Sequence, residues 1–254
     1  MQLNFKKVGE GEPLVILHGL FGSLDNWMTL AKKLGEHFEV FVVDARNHGQ
    51  SPHSNEFNYD VMADDLYEFL TEHQIIDPII LGHSMGGKTA MQFAMNYPNK
   101  LAKLIVADIA PKDYPVHHTA ILEGMLALNL NIINTRKGAD KELSKYIDDL
   151  STRQFLLKNL YWIEKERLAW RFNLPIINEK IEIIGYGLEN IETFKKPTLF
   201  IRGEKSNYIT TNDFESIKSI FSNVEIISMN AGHWVHAESP VEFLQILSLF
   251  LLKN

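Results

Sequence analysis

The sequence predicts a doubly wound α/β fold: a mostly parallel central sheet with helices on both faces and an inserted lid (cap). Two observations carry that prediction. Short, continuously apolar runs alternate with longer amphipathic ones from residue 14 to residue 107, the rhythm of a parallel sheet covered by helices. The rhythm stops after Pro111 and returns at Thr198, which marks an insertion of roughly eighty residues.

The elements follow in order. Residues 14–17 come after the turn-rich Gly9-Glu10-Gly11-Glu12-Pro13 and read as a buried strand. Residues 24–34 place Leu24, Trp27, Met28, Leu30, Ala31 and Leu34 at helical spacing. Residues 40–43 are a second buried strand, ending at Asp44. Val61, Met62, Leu66, Phe69 and Leu70 share one side of a helix over 59–70. Strands at 79–81 and 104–107 flank a helix over 85–95, closed by Pro98. Within the insertion, 121–130, 139–149 and 152–159 read as helices, and 161–174 as a hairpin or a helix. Then come a strand at 198–201, a helix near 212–221, a strand at 224–228 and a last helix over 240–252. The expected organisation is a core domain of 1–111 and 193–254 with a lid of 112–192.

Composition bounds the function. A chain of 254 residues with 45 % apolar and 22 % charged residues is globular, not disordered or fibrous. The absence of cysteine excludes disulfides, thiolate metal sites and a cysteine nucleophile, and it fits a reducing cytosol. Net charge is −7, with no Lys/Arg cluster longer than a pair, so no nucleic-acid partner is expected. Residues 1–7 lack the apolar stretch of a signal peptide, and no apolar run approaches the ~20 residues of a membrane span.

The chemistry centres on Gly82-His83-Ser84-Met85-Gly86, set between a strand and a helix. That setting is what a Gly-x-Ser-x-Gly nucleophile turn requires. A serine hydroxyl is a weak nucleophile and must be shown to a base and a substrate at once. The turn forces Ser84 into a strained backbone, and glycines two residues either side remove colliding bulk. A rival reading exists, since residues 82–89 also spell the phosphate-binding pattern Gly-x-x-x-x-Gly-Lys-Thr, and residues 104–108 imitate its magnesium-holding strand and aspartate. A serine hydrolase makes two further demands, an early loop that can offer an oxyanion donor and a late histidine. His18-Gly19-Leu20-Phe21-Gly22 meets the first, and Asn230-Ala231-Gly232-His233 the second, just past a strand end.

The other histidines read as structural. His18 supports its loop, His48 belongs to a tight turn, and His83 and His236 are buried or supporting. His117 and His118 open the lid facing solvent, and the pair His233/His236 lacks a third metal ligand. The acid that orients His233 has several candidates. The usual position, after the first strand beyond the lid, holds Ser206; Glu204 and Asp213 are near it, and Asp108 ends the strand 104–107 on the same edge.

Taken together, His18-Gly-Leu-Phe-Gly-Ser23, Asp44-x-Arg-Asn-His-Gly49, residues 82–88, Asp108-Ile-Ala-Pro111, Trp170-Arg-Phe-Asn173 and Gly232-His-Trp-Val-His-Ala-Glu238 resemble the YbfF-type esterases of the α/β-hydrolase superfamily. The resemblance covers nearly the whole chain; an N-terminal hairpin and the middle of the lid match least. It implies an α/β-hydrolase fold and a cytoplasmic bacterial serine esterase for short- to medium-chain acyl esters or acyl-CoA thioesters. It maps the acid onto Asp108, brings Ser206 into the catalytic network, and makes Leu20 and Met85 the backbone oxyanion donors. No metal and no cofactor are expected. Leu126, Leu128, Phe155, Leu156, Trp162 and Phe172 would wall an acyl site or pack the lid down. Competing functions are a carbon–carbon bond hydrolase or lyase on the same triad, a ligand sensor on this fold, and the nucleotide-binding reading.

Overall fold

The computed structural model describes residues 1–116, 118–165, 167–189 and 191–252. Strands β1 (Phe5–Val8) and β2 (Glu12–Leu17) lead into helix α1 (Met28–Leu34), and β3 (Phe38–Val43) into α2 (Tyr59–Glu72). β4 (Ile79–His83) runs directly into α3 (Met85–Asn96), and β5 (Lys103–Ala107) follows. Next come α4 (Thr119–Ala127), α5 (Arg136–Leu143), α6 (Leu150–Leu157), the hairpin of β6 (Leu160–Glu164) and β7 (Arg167–Trp170), α7 (Leu174–Glu179) and α8 (Ile181–Gly185). β8 (Thr198–Gly203), α9 (Phe214–Ile220), β9 (Val224–Met229), α10 (Val235–Glu238) and α11 (Pro240–Leu251) complete the chain.

Seven strands form one sheet in the order β1-β3-β2-β4-β5-β8-β9. All neighbours are parallel except β1, which is antiparallel to β3 with Phe5 opposite Val43. The expected N-terminal hairpin is therefore absent. β2 is apolar from Leu14 onward and is flanked on both sides, by β3 and β4, whereas β1 carries exposed Lys6 and Lys7 and belongs at the edge.

The two-residue period of a strand sorts the core. Val15, Leu17, Phe41, Val43, Ile80, Val106 and Phe200 face α2, α3 and α9. Leu14, Ile16, Val40, Val42, Leu81, Ile105 and Ile201 face α1 and α11. Both faces of these strands are buried, which is why their runs are continuously apolar.

Between β5 and β8, residues 161–174 settle as a hairpin followed by a turn into α7, where Pro175 sits in the first turn and starts the helix. The helix expected over 139–149 starts earlier, at Arg136, because the Thr135 hydroxyl caps the Gly138 N–H at 3.0 Å. A third apolar cluster joins Leu122, Met125, Leu143, Leu156, Phe172 and Ile177 of this segment to Phe21, Phe57, Tyr59, Met62 and Met85. Among the described residues, no helix is long and apolar enough to cross a membrane.

The chain leaves β2 toward β3 on one side and returns to β4 on the other. Such a reversal opens a crevice at the carboxyl ends of the strands. The loops after β2 and β4 therefore meet there.

Candidate active site

Ser84 alone makes the turn between β4 and α3, at φ 54° and ψ −119°. Only tight surroundings hold a non-glycine residue there. Its N–H donates to the Ala107 carbonyl at 3.1 Å. A Cβ on Gly82 would lie 2.1 Å from the Gly86 oxygen, and one on Gly86 would lie 2.4 Å from the Leu17 oxygen. The two glycines are thus required by backbone-to-backbone approach, as the motif implied.

His233 follows β9. Its Nε2 is 3.0 Å from Ser84 Oγ, and its Nδ1 is 2.9 Å from Asp108 Oδ2. A carboxylate only accepts, so Nδ1 carries the proton and Nε2 presents a lone pair to the serine hydroxyl. Asp108 is fully buried at the end of β5, at φ 50°. Its other oxygen accepts from the Gly203 N–H at 2.8 Å, and its own N–H donates to the Ile201 carbonyl at 2.8 Å. The carboxylate has a partner for each oxygen, which a buried charge requires.

Of the acid candidates, the structure brings Asp108 to the imidazole. Glu204 is exposed, and Asp213 caps the turn at Thr210 and pairs with Lys112 at 2.7 Å. Ser206 departs from the expected network. Its hydroxyl accepts from the Tyr208 N–H at 3.1 Å, and among the described residues no hydrogen bond joins it to Asp108 or His233. The reason is local: the turn from Gly203 to Ser206 closes on itself, with the Ser206 N–H donating to the Gly203 carbonyl. The residue that does touch the imidazole is Tyr208, whose ring stacks on His233 at 3.9 Å between centroids and 18° between planes. The sequence carries no local signal for it. Glu238 ends the motif that begins at Gly232. It accepts from the Gly232 N–H at 2.7 Å and holds the histidine loop.

The early loop lies directly on the serine. A Cβ on Gly19 would sit 3.2 Å from Ser84 Cβ and 2.9 Å from His83 Nδ1. Two buried histidines fix this loop. His18 donates from Nδ1 to the Gly19 carbonyl at 2.8 Å and accepts from the Ala45 N–H at 3.0 Å. His48 donates to the Arg46 carbonyl at 3.0 Å and accepts from the Phe21 N–H at 3.2 Å. Burial favours the neutral form of both, lowering His18 and bringing His48 down to about 3. Among the described residues, no protein acceptor takes the N–H of Leu20 or of Met85. His83 donates to the His233 carbonyl at 2.9 Å, and His236 stacks on Trp27 at 4.0 Å.

Two cavities meet at Ser84. One of ≈ 210 Å³ is lined by Phe21, Trp27, Phe155, His233 and Trp234. The other, of ≈ 30 Å³, is lined by Met85, Ile109, Tyr114, Ile181 and Ile184. Leu20 lines both. Of the apolar residues expected to line the site, Phe155 and Leu156 do so, while Leu128 and Phe172 pack in the third cluster. Leu126 and Trp162 are half exposed, on the outer side of α4 and on β6. His118 corrects the solvent-facing expectation, since it lies against Phe21 and lines both cavities; His117 lies outside the described residues.

The phosphate-binding reading fails on its own residues. Lys88 is buried on α3 and donates to the carbonyls of Gly185, at 3.0 Å, and Tyr186. Its ammonium lies over the rings of Tyr59 and Tyr114, and burial brings it down to about 8. Asp108 faces His233 instead of a phosphate loop.

Comparisons with known proteins agree. The family described as "alpha/beta hydrolase fold" matches residues 12–240. The chain is 37 % identical to the sn-1-specific diacylglycerol lipase ABHD11 of Danio rerio, over 97 % of this chain and 80 % of that protein. It is 36 % identical to Esterase YbfF of Escherichia coli (strain K12), over 94 % of this chain and 92 % of that protein, in keeping with the resemblance drawn from the motifs. A solved structure titled "Marine microorganism esterase" superimposes with a TM-score of 0.96 at 43 % identity, covering 98 % of this chain and 99 % of that one. On its sheet order, its nucleophile turn and these matches, the chain belongs to the α/β-hydrolase family.

Proposed function

We propose that this chain is a carboxylic ester hydrolase that works through an acyl-enzyme on Ser84. The observation that carries the proposal is the unbroken hydrogen-bonded line Asp108–His233–Ser84, with contacts of 2.9 and 3.0 Å. His233 Nε2 takes the Ser84 proton as Oγ bonds to the ester carbonyl carbon. The N–H groups of Leu20 and Met85 hold the oxyanion, each worth about 3–4 kcal/mol in comparable sites. As the carbon–oxygen bond to the alcohol breaks, Nε2 returns the proton to the leaving oxygen. A water then repeats the steps, giving a proton to His233 and freeing the acid and Ser84. Asp108 stays ionised and steadies the imidazolium.

No step draws on a metal or an organic cofactor. Ser206 acts on the imidazole only through Tyr208, whose backbone it holds. Residues 112–192 serve as the lid on a core of 1–111 and 193–254, a reading supported by the third apolar cluster. The substrates are esters at the short end of the expected short- to medium-chain range, and the same steps would cleave a thioester. The absence of cysteine favours the cytoplasm as the compartment.

Labelling with a fluorophosphonate and a series of p-nitrophenyl esters test the proposal together. Labelling and turnover are expected, with both lost in Ser84→Ala. Labelling that survives Ser84→Ala sinks it, as does negligible turnover on every ester.

A further inference from the structure

Ser84 stands between two cavities of very unequal size, and we infer that they divide the substrate. The smaller takes an acetyl- or propionyl-sized acyl group, and the larger a bulky, uncharged alcohol. The inference rests on the ester-hydrolase reading above.

The direction of the division follows from the proton. The leaving oxygen takes its proton from His233 Nε2, so the alcohol must lie where His233 faces. His233 lines the larger cavity and does not line the smaller. The carbonyl oxygen is directed to the N–H groups of Leu20 and Met85. The remaining substituent on the carbonyl carbon is then left with the smaller cavity, which Ser84, Leu20 and Met85 all border.

Size sets the acyl length. A water needs about 10–15 Å³ on this measure of cavity volume. The ≈ 30 Å³ beside Met85 is room for about two such groups, a methyl or an ethyl. The ≈ 210 Å³ on the other side holds about fifteen. Its walls are rich in aromatic rings, and among the described residues no Lys, Arg, Asp or Glu lines it. Such a wall suits an uncharged aromatic or branched alcohol.

The small cavity is also hard to enlarge. Its wall at Ile184 is pinned from two sides. The Tyr59 hydroxyl donates to the Ile184 carbonyl at 2.7 Å, and Lys88 donates to the Gly185 carbonyl at 3.0 Å. Gly185 itself presses on Tyr114, where an added Cβ would come within 2.5 Å of the backbone oxygen.

The test varies one side of the ester at a time. With p-nitrophenol as the constant alcohol, kcat/KM is expected to fall at least about tenfold from propionate to hexanoate. Ile184→Ala, with Ile181→Ala as a milder second variant, should raise the hexanoate-to-acetate ratio by about tenfold or more. Phe155→Ala should instead lower the ratio of 1-naphthyl acetate to methyl acetate and leave the acyl order alone. A wild-type preference for hexanoate overturns the division. So does an Ile184→Ala or Ile181→Ala change that appears in the alcohol series and not in the acyl series. These failures occur with turnover intact, which separates them from loss of turnover on every ester, the failure of the hydrolase reading itself.

Discussion

Four consecutive loops at the carboxyl edge of the sheet each hold one non-glycine residue at positive φ. They are Phe21 after β2, Asn47 after β3, Ser84 after β4 and Asp108 after β5. Among its described residues, the segment of residues 112–192 holds none. Each such backbone costs on the order of 1–3 kcal/mol and persists only where its surroundings over-determine it. At this edge they do. Asp44 accepts from the Leu24 and Gln50 N–H groups and from the Asn4 side chain, while His18 and His48 tie down the loop beside Ser84. Around α4, α5 and α6 the other segment packs through apolar contact, which repacks with less penalty. The edge sets positions for chemistry, and the segment sets the shape and firmness of what lies above it.

Substitutions should sort along that divide. The largest effect belongs to the edge. Asp108→Asn is expected to fold normally by circular dichroism yet lose up to about 10⁴ in kcat, because the amide favours the wrong imidazole tautomer. Glu204→Gln and Asp213→Asn should be nearly silent. Near-wild-type kcat in Asp108→Asn would break the assignment of the acid. Next comes the segment. Leu143, on α5, is fully buried, so Leu143→Ala should cost about 2–5 kcal/mol in urea unfolding. Its kcat measured well below the melting temperature should barely change. A large loss of kcat there would show that the segment positions the chemistry after all.

A smaller effect tests the bridge through Tyr208. Ser206→Ala removes one hydrogen bond, about 1–2 kcal/mol, and should lower kcat about tenfold. An effect as large as that of Asp108→Asn would instead mean direct contact with the imidazole during turnover.

The smallest effect appears only in acid. Burial brings His48 and His236 down to about 3, from an ordinary value of 6.5. Between those values the unfolded chain binds more protons than the folded one, so stability falls as pH drops below 6.5. His236→Phe keeps a ring against Trp27 and removes one of these groups. Its unfolding free energy should match wild type to within about 1 kcal/mol at pH 7. From pH 6.5 to pH 5 it should fall less steeply, by up to about 1.4 kcal/mol per pH unit. Parallel slopes would show that His236 is already charged in the folded state.

The features legible in the sequence are those that local sterics and periodicity dictate. The strands at 14–17, 40–43, 79–81 and 104–107 announce themselves because burial on both faces demands unbroken apolar runs. Ser84 was legible because its glycines answer a contact made within the motif itself, that of Gly82 with Gly86. His233 and Asp108 were legible as residues at strand ends. That they meet was not, since they are 125 positions apart and lie on opposite sides of β8 in the sheet. The helices α7 and α8 leave no signal in the sequence, because six and five residues are too few to show a period.

Hydrophobic period and backbone sterics over a few residues are enough for the layered α/β architecture, the nucleophile turn and the set of candidate partners. The rest needed the folded sheet. It set Asp108 beside the imidazole, since the registers of β5 against β8 and of β8 against β9 bring Gly203 and His233 to its two oxygens. It moved β1 to the edge, turned Ser206 onto Tyr208 and Tyr208 onto His233, and left unequal spaces either side of Ser84. Those outcomes depend on distances between residues far apart in the chain, and such distances exist only once the sheet has formed.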